Sequence, residues 1–467
     1  MTKRLPTTAA PVPLEEYAAH FDALFAQRSQ RESFRRYLEG LLLPAERNKT
    51  ATGLANTEPT VGAQHPRAQV LQWFLSESTW DAAKVNARRT ALLRADPATA
   101  PDARGVLVID EHGDRKWGRK TAHVGRQYLA NLGKTDSGVV AVTSLWADER
   151  VYWPVDYAPY TPKHHFATGK ADPAFRTKLQ IAGELVAAAV ADDLPFRAVV
   201  ADSFYGEDAG FRQTLHERQV GYVLALKPSH TWWHQVGAVG ALWEAAELAG
   251  WRGEAAPGAW VAVARRFRDG HTETWWALEV AAGPYGPGRG RRAVVATTDP
   301  ATLPERQTWY LATNLPVADA ALAEIVRLYG LRMWVEQAYK QTKHALGWAQ
   351  YQVRSDAAMR RHWQLVCCAF ACCWWHRPPA AAGDALPVAG NTADQPVADA
   401  ATGRGENTPA PPAGVLAGGA TRRAWLEPWI LLRRYWRAWS ALPPPPALAA
   451  LLEQLRRGHG LDLYASP

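Results

Sequence analysis

Two kinds of hydrophobic pattern divide the chain. Over 14–95 apolar residues recur at helical spacing: Leu14, Tyr17, Phe21, Leu24 and Phe25 form one stripe, and Phe34, Tyr37, Leu38, Leu41 and Leu42 a second. Ser29 and Glu32 have the spacing of a capping box at the start of the second stripe, and Arg28, Arg31, Arg35 and Arg36 give that helix a basic side. After Pro101 the pattern changes to that of strands. Val106 to Ile109 is an unbroken apolar run ending in Asp110, which predicts a buried strand with a carboxylate at its carboxyl end. Stretches 138–145 and 151–157 predict a hairpin, 172–191 a helix, and Ala198 to Ala201 a second buried strand ending in Asp202. A helix near 207–218 and a strand at 221–226 complete this part. Short alternating strands then fill 228–316, broken by the Gly and Pro cluster at 283–290, before helical spacing returns near Val317 and meets no proline until Pro378.

The resulting map has six parts. Residues 1–100 form a helical N-terminal region, either a DNA-binding domain or a purely structural subdomain. Residues 101–227 and 317–376 are two parts of one α/β core, split by a β-rich insertion at 228–316. Residues 377–424 lack aromatic residues and predict a flexible linker. In 425–467, Trp429, Leu432, Trp436 and Trp439 share one face of a helix, for which core packing is the expected role.

Composition narrows the function classes. The 467 residues are 47% hydrophobic, enough for several packed cores, so the chain as a whole is not disordered. Fifty-three Lys and Arg against forty-five Asp and Glu leave a net charge of +8, compatible with a polyanionic partner. The start has no signal-peptide core, and the strongly apolar stretch 366–375 is too short to span a bilayer, so a cytoplasmic location without membrane attachment is expected. Cys367, Cys368, Cys372 and Cys373 crowd into seven residues, where adjacent helical positions diverge by about 100°, so buried thiols are expected rather than a zinc site.

Candidate chemistry concentrates near the end of the core. Tyr329, Arg332, Glu336 and Lys343 lie at offsets of 0, 3, 7 and 14, which on one regular helix share an arc of about 60°. Glu336 would stand roughly 10 Å along the axis from Tyr329 and from Lys343. That spacing suits a helix laid along a phosphate backbone, with Glu336 at one phosphate and the cations at its neighbours. A solvated polar face is the bland alternative. Asp110 and Asp202 weigh against it, because adjacent strands can bring these two carboxylates together with Glu336. Either aspartate alone would more often be a turn or cap residue. Three convergent carboxylates require a cation, and hard oxygen ligands select Mg²⁺ or Mn²⁺.

The stretch Y-G-L-R-M-W-V-E-Q-A-Y-K-Q-T-K, Tyr329 to Lys343, resembles the catalytic-helix signature of a branch of the DDE transposases of bacterial insertion sequences. V-L-V-I-D, ending at Asp110, and V-V-A-D-S-F-Y-G, containing Asp202, are similar to the family's two aspartate motifs. H-V-G-R-Q-Y-L-A-N-L-G-K-T-D, from His123, is similar to a block whose basic residues lie near the active site. The resemblance implies an α/β, RNase H-like mixed-sheet core in which Asp110, Asp202 and Glu336 bind two Mg²⁺ ions. One ion would activate the attacking hydroxyl and the other would stabilise the leaving oxygen during in-line phosphoryl transfer. It also implies double-stranded DNA partners (transposon ends and target), phosphate contacts from Arg332 and Lys343, and a DNA contact from Tyr329 beside the cut. Dimerisation on the DNA is expected, in association with the bacterial nucleoid. In W-Y-L-A-T-N-L-P, Trp309 matches a residue that stacks on an extruded base in relatives that cut through a hairpin, and an ordinary strand tryptophan is the alternative. A decayed or domesticated copy acting as a DNA-binding regulator is the runner-up function, and a metal-dependent nuclease of other substrates a third.

Overall fold

A computed structural model of the chain describes residues 12–42, 49–55, 66–233, 239–267, 271–280, 291–375 and residues 446, 447 and 450. The expected linker 377–424, the tryptophan helix at 429–439 and the Gly and Pro cluster at 283–290 lie outside the described residues. The chain separates into two compact units, one from the described parts of Met1–Ala100 and Lys340–Pro467, the other from Pro101–Tyr339.

The first unit is helical. Its N-terminal elements are α1 (Val12–Ala19), α2 (Arg28–Leu42), α3 (Ala51–Leu54), α4 (Pro66–Ser76) and α5 (Ala82–Ala95). Both expected stripes are buried except Leu24, with the Phe34 ring in contact with those of Phe21 and Phe25. The capping box does not form. Helix α2 already begins at Arg28, so Ser29 lies inside it, and Glu32 accepts from Arg28 Nε at 2.7 Å. The basic side is smaller than expected, because Arg31 and Arg35 are buried. Arg35 pairs with Glu15 at 2.8 Å and Asp22 at 2.6 Å, and Arg31 donates to the Phe25 carbonyl. A cation entering a core needs such partners, and here the preceding helix supplies them.

The second unit is built on one ten-stranded sheet. Its strands are β1 (Val106–Arg115), β2 (Gly125–Leu129), β3 (Lys134–Ala147), β4 (Tyr152–Tyr160), β5 (Ala198–Ala201) and β6 (Tyr222–Ala225), followed after a separate ribbon, β7 (Thr231–Trp233) and β8 (Val239–Ala241), by β9 (Val261–Arg266), β10 (Thr272–Val280), β11 (Arg292–Thr297) and β12 (Thr308–Thr313). The order is β2-β3-β1-β5-β6-β12-β11-β10-β9, with β4 also paired to β3. Antiparallel β4, β3 and β1 followed by parallel β5 and β6 make an RNase H-like mixed sheet. The strands of the expected insertion extend this sheet, since β12 pairs antiparallel with β6 from Leu311↔Ala225 to Thr313↔Val223.

Strand β1 runs well past the apolar run that predicts it. Strand β3 pairs with it at every position from Val106↔Ala147 to Arg115↔Gly138, so Asp110 is mid-strand rather than terminal. Helices α6 (Lys178–Ala191), α7 (Ser203–Gly206), α8 (Ala209–Glu217), α9 (Leu242–Glu247), α10 (Leu322–Gly330) and α11 (Met333–Lys340) complete the unit. The continuous helix expected from Val317 onward is interrupted twice: α10 ends at Gly330, and α11 passes at Lys340 into a π-helical turn, Gln341–Ala345. Back in the first unit, α12 (Asp356–Trp375) packs against α2, α4 and α5 and buries all four cysteines as free thiols. No helix among the described residues is long and apolar enough to cross a membrane.

Candidate active site

The register of two parallel strands brings the aspartates level. Val108 stands opposite Val200, and two residues further along each strand come Asp110 and Asp202. Pairing between β1 and β5 ends at Val108, so Asp110 faces the open end of β5 rather than another ladder residue. Asp202 follows β5 directly and caps α7 by accepting from the Phe204 amide at 3.0 Å. Alternation along β1 turns Glu111 to the opposite face, where it pairs with Lys178 at the start of α6 at 2.8 Å. Glu111 is therefore held away from Asp110 and Asp202.

Glu336 reaches the same place from α11, and the residue that joins the three carboxylates is Arg332. Its guanidinium lies 2.9 Å from Asp110, 4.0 Å from Asp202 and 3.4 Å from Glu336. Arg332 sits in the short break between α10 and α11, which aims its side chain at the strand ends instead of along a helix face. The site grades from closed to open: side-chain exposure is 12% for Asp110, 38% for Asp202 and 69% for Glu336. Burial pushes the Asp110 carboxyl up to about 7 although Arg332 pulls it down, with Asp202 adding to the rise. Burial alone would lower the Arg332 pKa, but the surrounding carboxylates outweigh it and the guanidinium is held firmly protonated. Its Nε is buried without a hydrogen-bond partner among the described residues.

These donors fit a hard divalent cation. All three are carboxylates, they face one cationic centre, and two of them are open to solvent. Among the described residues no group of three acidic, His or Cys side chains is drawn together closely enough to hold a metal by itself, because Arg332 stands between these three. Asp110 on β1, Asp202 at the end of β5 and the more exposed Glu336 on α11 are the residues that could hold it.

The other expected site residues are distributed differently from a single helical face. Tyr329 is the penultimate residue of α10, buried, with its phenol pushed up to about 12 by that burial. Lys343 lies in the π-helical turn, so the 100° spacing that unites it with Tyr329 does not hold through these two breaks. Trp309, on β12, is half-buried. Its ring lies 4.2 Å from that of Trp275 and 5.0 Å from that of Tyr329, with the Arg265 guanidinium 4.8 Å above it. It is thus part of an aromatic cluster rather than a free platform.

Three participants escape a reading of the sequence alone. Tyr339, one turn after Glu336, bonds through its hydroxyl to Thr143 Oγ1 on β3, and its ring lies tilted against that of His112 of β1, with centroids 4.5 Å apart. It anchors α11 to β3 and β1, and only the three-residue offset from Glu336 could have pointed to it. Lys178 neutralises Glu111, a pairing across 67 residues with no local signal. The third is Arg265, whose guanidinium lies over the rings of Phe267, Trp275 and Trp309.

A family model for the DDE superfamily endonucleases matches residues 20–275 of this chain. That is more than half of its length. The chain belongs to the DDE endonuclease superfamily. The match contains Asp110 and Asp202, while Glu336 lies beyond its end. The chain is also 32% identical over 351 residues to a Microchaete diplosiphon protein named "Probable transposase for insertion sequence element IS701", covering 74% of this chain and 84% of that protein. The similarity to this relative is long enough to involve most of the chain.

Proposed function

We propose that this protein is the transposase of an insertion sequence, which binds the terminal repeats of its element, cuts them and joins them to target DNA by phosphoryl transfer. The observation that carries this reading is the convergence of Asp110, Asp202 and Glu336 on Arg332. Asp110 and Asp202 hold Mg²⁺, or Mn²⁺ in its place, with Glu336 as third ligand. When bound, the metal supplies positive charge at the scissile phosphate and makes the attacking hydroxyl easier to deprotonate.

The chain's own residues do the rest. The sheet fixes Asp110 and Asp202 before DNA arrives, so little reorganisation is left for the reaction. Arg332 balances the three negative charges, and its guanidinium stands where it could also grip a DNA phosphate beside them. Tyr329 and Lys343, which lie on either side of Glu336 in the sequence, each contact DNA, and Trp309 lies beside Tyr329. A homodimer on paired ends is the working form.

The test is excision in vitro with purified protein, Mg²⁺ and a plasmid carrying the gene's native flanks, run beside Glu336→Gln. Cleavage at both element ends by the wild type alone is expected. End binding without cleavage by the wild type would turn the assignment toward a regulatory protein, and neither activity would overturn it.

A further inference from the structure

Several cations set into the sheet unit have an obvious counter-charge. Arg292 pairs with Glu279 at 2.8 Å, Arg327 with Glu149 and Glu324 at 2.6 Å each, and Arg332 with the catalytic carboxylates. Arg265, near the end of β9, differs. It is half-buried, yet the described residues give it neither a carboxylate within ion-pair distance nor a hydrogen bond. Glu273 stands directly opposite it in the β9–β10 ladder, but that carboxylate accepts from Trp275 Nε1 at 3.1 Å and faces His271 at 3.4 Å.

What Arg265 has instead is an aromatic mount. Its guanidinium carbon lies 4.3 Å from the ring centre of Phe267, 4.8 Å from Trp275 and 4.8 Å from Trp309. A planar cation gains from ring faces, but rings do not satisfy its N–H donors. Burial draws its pKa down to about 10, with only Glu273 opposing, so the group remains charged at neutral pH in surroundings poor in negative charge.

The mount leads to the active site. A side chain added at Gly330 would meet Arg265 Nε at 3.1 Å and Nη2 at 3.2 Å, so the guanidinium lies over the break between α10 and α11. Tyr329 and Arg332 flank that break, and Trp309 touches Tyr329. We propose that Arg265 is a DNA-phosphate contact beside the catalytic carboxylates, and that Trp309 serves chiefly as its mount rather than as the stacking partner of an extruded base. A planar guanidinium held by ring faces keeps its edge donors for a phosphate, which can accept two of them side by side. The inference rests on the proposed action on DNA, but not on recognition of any particular end sequence.

The experiment is the salt dependence of binding of the full-length protein to a fluorescent duplex of arbitrary sequence. Wild type, Arg265→Ala, Arg265→Lys, Trp309→Ala and the Arg265→Ala/Trp309→Ala double variant are compared after thermal melts establish that each is folded. Loss of one phosphate contact reduces the slope of log K against log salt by about 0.9. Arg265→Ala is expected to show that reduction and Arg265→Lys to keep the slope while binding more weakly. Trp309→Ala is expected to weaken binding, with the double variant no weaker than Arg265→Ala alone. Gly330→Ala, which crowds the guanidinium without removing its charge, should also weaken binding and guards against a fold defect in the Arg265 variants. An unchanged slope in folded Arg265→Ala overturns the inference, as do additive losses in the double variant, which would mean that Trp309 engages DNA independently. If the wild type cleaves its native ends while the Arg265 slope stays unchanged, this inference falls alone. If the wild type binds no duplex, the proposed function falls with it.

Discussion

Asp110 bears an electrostatic conflict: a buried carboxyl pushed up to about 7, beside a second carboxylate and held by one guanidinium. Keeping it ionised at neutral pH opposes folding, a common feature of sites prepared for a ligand. Asp110→Asn is therefore expected to abolish cleavage, to retain DNA binding, and to melt no lower than the wild type near neutral pH. Calorimetry beside a cleavage assay checks this, and a clear loss of stability would mean that the Arg332 ion pair outweighs the burial cost. All three acidic residues are legible in the sequence because two of them close unbroken apolar runs and the third sits in a dense polar pattern. The place of Arg332 among them is not legible. On a regular helix it would lie on the same face as Glu336, and nothing local announces that the helix stops just before it.

Elements decide where those side chains point. The break after Gly330 aims Arg332, and the bond from Tyr339 to Thr143 ties α11 to β3. Tyr339→Phe should cost about 1 kcal/mol of stability. It should also raise the Mg²⁺ concentration needed for half-maximal cleavage, since a looser α11 presents Glu336 less firmly. Thr143→Val is expected to do the same, and an unaltered metal dependence in both would reduce Tyr339 to ordinary packing. With a π-helical turn after Lys340, regular helical spacing no longer fixes the face on which Lys343 lies. If Lys343 nonetheless meets a phosphate, Lys343→Ala will lower the salt slope by about one counterion, measured on the same duplex as the Arg265 series. Strand boundaries were readable only in part. The run ending at Asp110 identifies β1, but its second half carries Glu111, His112, Asp114 and Arg115, and only the long partner strand β3 holds those polar residues in a ladder. Strand β2 has a plain buried and exposed alternation, yet it is only five residues long and is likewise defined by its partner.

At the scale of the whole molecule, the N-terminal helices do not close on themselves. Helices α2, α4 and α5 pack on α12, more than 250 residues later in sequence, and Tyr37 bonds His362 at 2.8 Å. Residues 1–100 produced alone should therefore lack a cooperative thermal transition, and adding the α12 segment through a linker should restore one, as followed by circular dichroism. A cooperative melt of 1–100 alone would mean that its own ring cluster suffices. The sequence by itself determined the helical stripes of the N-terminal region, the buried runs of β1 and β5, the free thiols of α12 and the three candidate carboxylates, because hydrophobic period and run-closing residues act over a few positions. Only the tertiary structure decided that Asp110 and Asp202 stand level, that Arg332 lies between the three acids, that β12 joins the insertion strands to β6, and that Arg265 rests on Trp309. Each of these depends on register or contact between residues far apart in the chain, where a shift of a single position would send the side chain to the other face.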